Sequence, residues 1–497
     1  MQIESYRARL ENFEQNLNGE LYRYHSGLKN QLELTSVYSE YSDLFSRESI
    51  HEIKSALDNA DGAFPSRQKS LKKIHEYLID QHLDFRAAPL TQEIAQFDAH
   101  HKLVWEGKEI FFSQIPSMLK DESNAAKRRQ LSEKYARGIR DSADLRRRKL
   151  ALRQTTAENL GFRDYVEARE YIAGVNYAEL LKALDTVVSR SDDSYFERLR
   201  FSVEATLGLS LQDAGSWDVA RWRKQNDQEN VFSGKNLLAT VDATVVELGI
   251  RPERNDAIEL DIDRRALKQT RPFCIPIQIP HEIKIVLSPA NGSKHYAALL
   301  HESGHAHHFA WTSASLPIEH RIWGDRALPE AYAFLFEHFL LERSWLIRML
   351  SFFKSEEYIR FQFLLRAFLV RRCMGRLRFA LSLDAEKSFD EISRIYSETM
   401  KAYTGITHPR ELWLADLFDG FDAADYLRGW IFESMLREYM NTRFGRAWFQ
   451  SRSAAGFLKE IWETGQLYRS EELCREIGIG NPDPQILADE LMEGLRY

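Results

Sequence analysis

The chain has 497 residues, with 67 Lys and Arg against 74 Asp and Glu, a formal net charge of −7. Its 44% hydrophobic and 28% charged residues describe a globular protein large enough to bury a sizeable core, without the basic excess of a general nucleic-acid binder. Cys274, Cys373 and Cys474 are odd in number and far apart, which argues against a disulfide framework or a cysteine-ligated metal and fits a reducing, cytoplasmic setting. The opening residues are charged from Glu4 and carry no apolar leader, and no apolar run is long enough to span a membrane.

The first 240 residues read as almost wholly helical. Tyr6, Leu10, Phe13, Leu17 and Leu21 recur at steps of three and four, and Leu71, Ile74 and Leu78 repeat that stripe. Residues 127–153 are rich in Lys and Arg against Glu133, Asp141 and Asp144. They read as a solvated helix face whose arginines pair with acidic neighbours. The texture changes near 256. Ile258 to Asp263 alternates as a half-buried strand. Pro272 to Ile277 follows, confined by its two prolines to a sheet edge. Ile283 to Leu287 is a third strand, closed by the turn cluster Ser288 to Ser293. Helix resumes after it and persists. No linker separates the N-terminal half, 1–240, from the remainder, 241–497, so the two read as one interwoven domain.

The turn cluster leads into His301-Glu302-Ser303-Gly304-His305. Two histidines four apart lie on one helix face, about 6 Å apart along the axis, and can converge on one zinc ion. Glu302 then lies beside water at the metal and serves as general base. Gly304 costs about 1 kcal/mol relative to Ala inside a helix, which points to a close backbone approach there. Catalytic zinc sites take three protein ligands. Glu330, 25 residues beyond His305, supplies the third; it follows Pro329 in the first turn of an apolar helix. A buried carboxylate needs such a partner. Glu337, two turns later on the same face, is placed to hydrogen-bond a ligand histidine. His307 and His308 read as packing residues.

Together these features resemble the thimet oligopeptidase and oligoendopeptidase F family of zinc peptidases. Besides His301 to His305, Glu330 and Glu337, the resemblance rests on Leu160-Gly161-Phe162 with Tyr165 and on Gly420-Phe421-Asp422-Ala423 with Tyr426. Near the end it rests on Tyr468-Arg469, Gly478-Ile479-Gly480 and Pro482. It implies a mainly α, large helical peptidase fold. A deep central channel and a small β-sheet beside the zinc-binding helix belong to that fold. It implies one Zn2+ ion and a peptide substrate. In the thimet branch a histidine and two tyrosines help bind substrate and stabilise the oxyanion. Here Asp416, Phe421 and Arg428 fall at those positions, and Ala333 replaces a serine. Arg428, Tyr426 and His408 are the candidates to take over that role.

The residues therefore predict a zinc metallopeptidase with ligands His301, His305 and Glu330 and general base Glu302. The partner is a short unstructured peptide, aligned along an edge strand near 258–277, with no nucleic acid and no membrane. The replaced positions leave two alternatives: a zinc hydrolase of a specialised amide, or a zinc-binding protein without efficient proteolysis. Oligomeric state, substrate length and the choice between endo- and carboxypeptidase stay open.

Overall fold

The computed structural model describes residues 3–60, 65–251, 256–383, 387–417 and 421–496. Among these are twenty-two α-helices, a two-stranded hairpin and a three-stranded sheet, so the fold is mainly α. Helix α1 (Ile3–His25) buries Tyr6, Leu10 and Phe13. That is the predicted stripe, with Leu17 and Leu21 packed at its margin. It shares a core with α2 (Pro65–His100), which contributes Ile74 and Leu78.

The almost wholly helical reading of residues 1–240 holds, with one exception among the described residues. Strands β1 (Lys102–Trp105) and β2 (Lys108–Phe111) form an antiparallel hairpin. Its two loop residues, Glu106 and Gly107, have φ of 46° and 76°. Positive φ at both centres is the turn that matches strand twist. Four-residue strands around a Glu-Gly loop are too short to stand out from helical surroundings.

The basic segment forms α3 (Ala125–Asp141) and α4 (Ala143–Asn159). Most of its arginines are paired with acidic groups as expected, but not all are solvated. Buried Arg128 donates to Asp218 at 2.7 Å, and Arg153 pairs with Asp84 at 2.9 Å. These pairs tie the two helices to α2 and to the residues before α5 (Val219–Gln225).

The predicted sheet is present, in the order β3–β5–β4. Strand β3 (Ile258–Asp261) runs parallel to β5 (Glu282–Val286), and β4 (Phe273–Gln278) runs antiparallel to it. Pro276, which has no N–H to give a second neighbour, therefore stands on an edge strand. Its carbonyl accepts a hydrogen bond from Asn18 of α1 at 2.9 Å.

Next come α6 (Ser293–Trp311), α7 (Ala327–Glu337), α8 (Glu356–Leu381) and α9 (Asp422–Phe444). Tyr296, Leu299 and Leu300 of α6, Leu328 and Tyr332 of α7, Ile283 and Ile285 of β5 and Phe432 of α9 share one buried cluster. Two glycines let these helices touch. A Cβ on Gly304 would lie 2.5 Å from the Tyr332 carbonyl oxygen and 2.6 Å from Ala333 Cα, and one on Gly429 would lie 3.0 Å from Glu330 Cβ. The close approach predicted at Gly304 is thus α7 lying against α6. Gly304→Ala would gain helix propensity, yet it drives a methyl group into backbone that cannot rotate aside. We expect a net loss of about 1–3 kcal/mol in denaturant unfolding. Unchanged stability would refute this packing.

Of the segments carrying the resemblance, Asn159 ends α4 and Asp164 caps the next helix, its carboxylate accepting the Glu167 N–H. Gly420 lies outside the described residues. Arg469 donates to Glu76 of α2 at 2.8 Å, joining the two halves of the chain. No described helix is long and apolar enough to cross a membrane.

Candidate metal centre and active site

His301 and His305 project from α6 toward Glu330 on α7. His301 Nε2 stands 3.4 Å from Glu330 Oε2, and His305 Nε2 stands 3.7 Å from Glu330 Oε1. One donor atom from each residue falls in a set lying within 4.8 Å of one another. Donors bound at 2.0–2.1 Å around a tetrahedral zinc stand roughly 3.4 Å apart, so the three residues fit that ion. A second observation agrees: Glu330 Oε2 is buried with no hydrogen-bond partner. A carboxylate oxygen in that position costs free energy unless something accepts its charge.

The electrostatics distinguish the two imidazoles. Burial pushes His305 down to about 4, outweighing Glu330. Burial also works against charge on His301, but the adjacent Glu330 and Glu337 carboxylates outweigh it and hold that ring well above the usual histidine range. Burial would raise Glu330, but His305 and His301 bring its carboxyl below the usual value. Glu337 Oε2 lies 3.1 Å from His301 Nδ1 and can accept its N–H. That contact leaves Nε2 as the nitrogen available to a metal.

Glu302 lies between α6 and the edge strand β4. Burial raises its carboxyl, partly offset by His301, Arg271 and the Cys274 backbone N–H. Two side chains from distant elements complete the surroundings. Arg271, just before β4, donates from Nη2 to the Tyr426 hydroxyl at 3.3 Å. Its charge is opposed by desolvation and supported by Tyr426, Glu302 and Glu330. Tyr426, on α9, is held above the ordinary phenol range by burial and by Glu330. Phe334 packs between His301 and Tyr426, its ring 5.3 Å from the first and 6.0 Å from the second.

Of the three residues named as oxyanion candidates, the structure brings only Tyr426 to this cluster. Arg428 points away. It grips Asp325 with two hydrogen bonds of 2.7 Å and also bonds Glu471 and Ser470. Two carboxylates fully occupy that guanidinium, so it is a structural anchor. His408 is buried, donates from Nδ1 to the Ile406 carbonyl at 3.1 Å, and faces Tyr396, Arg372 and Asp416. Asp416 pairs with Arg372 at 2.8 Å and accepts from the Tyr396 hydroxyl, and Phe421 stacks on Tyr177. The positions at which the resemblance places a histidine and tyrosines are therefore spent on packing and ion pairs. His307 and His308 pack as expected, against the carbonyls of Ser303 and Gly465.

Sequence reasoning missed Arg271. A lone cation in a loop obeys no spacing rule; only its position at the start of the edge strand hinted at the site.

No protein-family profile matches the chain, and no curated protein matches it by sequence. Solved structures do match. One assigned to oligoendopeptidase F from Bacillus anthracis str. Ames is 16% identical with a TM-score of 0.60, over 96% of this chain and 84% of that one. A second structure assigned to oligoendopeptidase F is 13% identical with a TM-score of 0.70, over 99% and 90%. PZ peptidase A with an inhibitor is 14% identical with a TM-score of 0.69, over 96% and 89%. The chain has the large helical fold of these oligopeptidases, as the motifs implied.

Proposed function

We propose that this chain is a zinc-dependent peptidase of the oligoendopeptidase type, hydrolysing short unstructured peptides in a reducing, cytoplasmic setting, with both halves forming one peptidase domain. The observation that carries it is the meeting of His301, His305 and Glu330 at zinc-ligand spacing with Glu302 beside them. An ion held there supplies a Lewis acid that polarises the scissile carbonyl and lets water attack near neutral pH. Glu302 takes the proton from that water and returns it to the leaving amine. Its raised affinity for protons, set chiefly by burial, suits both halves of that task. Glu337 holds the His301 ring in register.

Arg271 and Tyr426 are the proposed oxyanion partners. Arg271 already donates to the Tyr426 oxygen, which leaves the hydroxyl proton of Tyr426 free to point at substrate. Asn18 occupies the Pro276 carbonyl, so an extended substrate would pair with the Phe273–Cys274 end of β4. Tyr426→Phe is expected to lower kcat about 10²–10³-fold with zinc content unchanged. Equal kcat would remove Tyr426 from the chemistry.

The test of the whole reading is mass spectrometry of a mixture of short peptides incubated with zinc-loaded protein. Cleavage by wild type and none by Glu302→Gln supports it. A zinc-loaded wild type that leaves every peptide whole would refute it and favour a specialised amide or a binding role.

A further inference from the structure

A cavity of about 340 Å³ opens on the side of α6 that faces away from His301 and His305. Leu299, Ser303 and His307 line it at steps of four, one stripe of the helix, and the two metal-facing histidines lie across the axis from them. Its other walls are Val241 and Val245 of the helix Leu237–Leu248, Ile258 and Leu260 of β3, and Ile285 of β5. Helix and sheet stand apart here instead of closing on one another. Protein interiors leave few voids larger than a water molecule, and this volume falls in the range of small-molecule sites, roughly 300–1,000 Å³.

The strand wall is less covered than its sequence predicts. Alternation from Ile258 to Asp261 reads as a strand with its apolar side chains buried. In the structure it is Asp261 that is buried, held by Arg265 and Lys268, whereas Leu260 is 42% exposed at the cavity. One polar group interrupts the apolar lining. His307 is only 5% exposed, and its Nδ1 donates to the Ser303 carbonyl at 2.8 Å. With the N–H on Nδ1, Nε2 presents a lone pair, and no group among the described residues donates to it. A buried acceptor left unpaired is uncommon. The remaining polar groups are spent: Ser303 Oγ donates to the Leu299 carbonyl at 2.6 Å, and Arg251 and Asp242 neutralise one another at the rim.

We propose that this cavity binds a compact apolar molecule carrying a single hydroxyl or N–H, which donates to His307 Nε2. The aliphatic walls take the body of the ligand, and one acceptor calls for one donor. The paired charges at the rim favour no ionic group. Phe336, stacked on the His307 ring at 6.1 Å, sets its plane, and the bond to the Ser303 carbonyl sets which nitrogen faces the cavity. Binding there requires neither zinc nor peptide cleavage, since the ligand touches only the far side of α6.

Isothermal titration of the zinc-loaded protein with 2-naphthol and with naphthalene provides the test, because the two probes share a shape and differ by one hydroxyl. 2-Naphthol is expected to bind once per chain and about tenfold more tightly than naphthalene, the difference that one hydrogen bond to a buried acceptor supplies. His307→Phe should bring the two affinities together while naphthalene keeps its own. Leu260→Trp, at a position already half exposed, fills the mouth with little load on the core and should abolish binding of both probes. No binding by wild type, equal affinities in wild type, a hydroxyl preference that survives His307→Phe, or 2-naphthol binding that survives Leu260→Trp would each overturn the assignment. So would a dimer in sedimentation that Leu260→Trp dissociates, which gives the face to a second copy of the chain.

Discussion

Replacing Glu302 by glutamine is expected to lower peptide cleavage at least 10²–10⁴-fold, the range that a positioned general base supplies, while zinc stays bound. The substitution is nearly isosteric and leaves His301, His305 and Glu330 untouched. What it removes is the ability to accept a proton. Glu302 sits between α6 and β4, desolvated, next to the Cys274 N–H and the Arg271 charge. Desolvation makes a carboxylate a better base than in water, and Arg271 limits how far its proton affinity rises. The amide of glutamine keeps the hydrogen bond and loses both properties. The decisive comparison is kcat at saturating peptide together with zinc per chain. A Glu302→Gln protein that keeps zinc and turns over within tenfold of wild type would assign the base elsewhere. Loss of zinc along with activity would instead give Glu302 a role in holding the metal.

The meeting of His301, His305 and Glu330 was legible because it obeys helix arithmetic. His301 and His305 share a face by spacing alone, and Pro329 marked the turn that presents Glu330. The sheet was legible because alternation at Ile258 and the prolines around Cys274 allow few alternatives, and its order β3–β5–β4 confirmed the edge placement. The hairpin at Lys102–Phe111 was not, since two four-residue strands carry less signal than the helices that flank them. Arg428 and His408 were misplaced for a different reason. Their position near a motif in the sequence says nothing of rotation about the helix axis. Gly429 faces Glu330 whereas Arg428, one residue earlier and about 100° around the helix, faces Asp325. Tyr426 falls on the side toward the cluster, and Arg271 joins it from 155 residues away in the chain. Contacts of that range depend on how α9 sets against the sheet, which no local pattern encodes.

Glu330→Ala should eliminate activity by removing the metal. The two imidazoles that remain lack the charge and the third donor of a catalytic zinc site, and α7 keeps its fold because Leu328, Ala331 and Tyr332 still pack against α6. Zinc that binds the native state at a thousand times its dissociation constant stabilises it by about 4 kcal/mol. Wild type should therefore unfold several degrees lower after chelation and recover when zinc returns. The Glu330→Ala protein should melt at one temperature with or without the metal. Glu337→Gln separates holding the metal from orienting a ligand: the Nδ1 contact of 3.1 Å weakens while all three ligands survive, so zinc affinity falls about 10–100-fold rather than vanishing. A chelator-competition titration ranks the three proteins. If Glu330→Ala retains wild-type affinity, the third ligand is another group. If Glu337→Gln loses zinc as completely as Glu330→Ala, then Glu337 is itself a ligand, and the ion sits on the Nδ1 side of His301, away from Glu302.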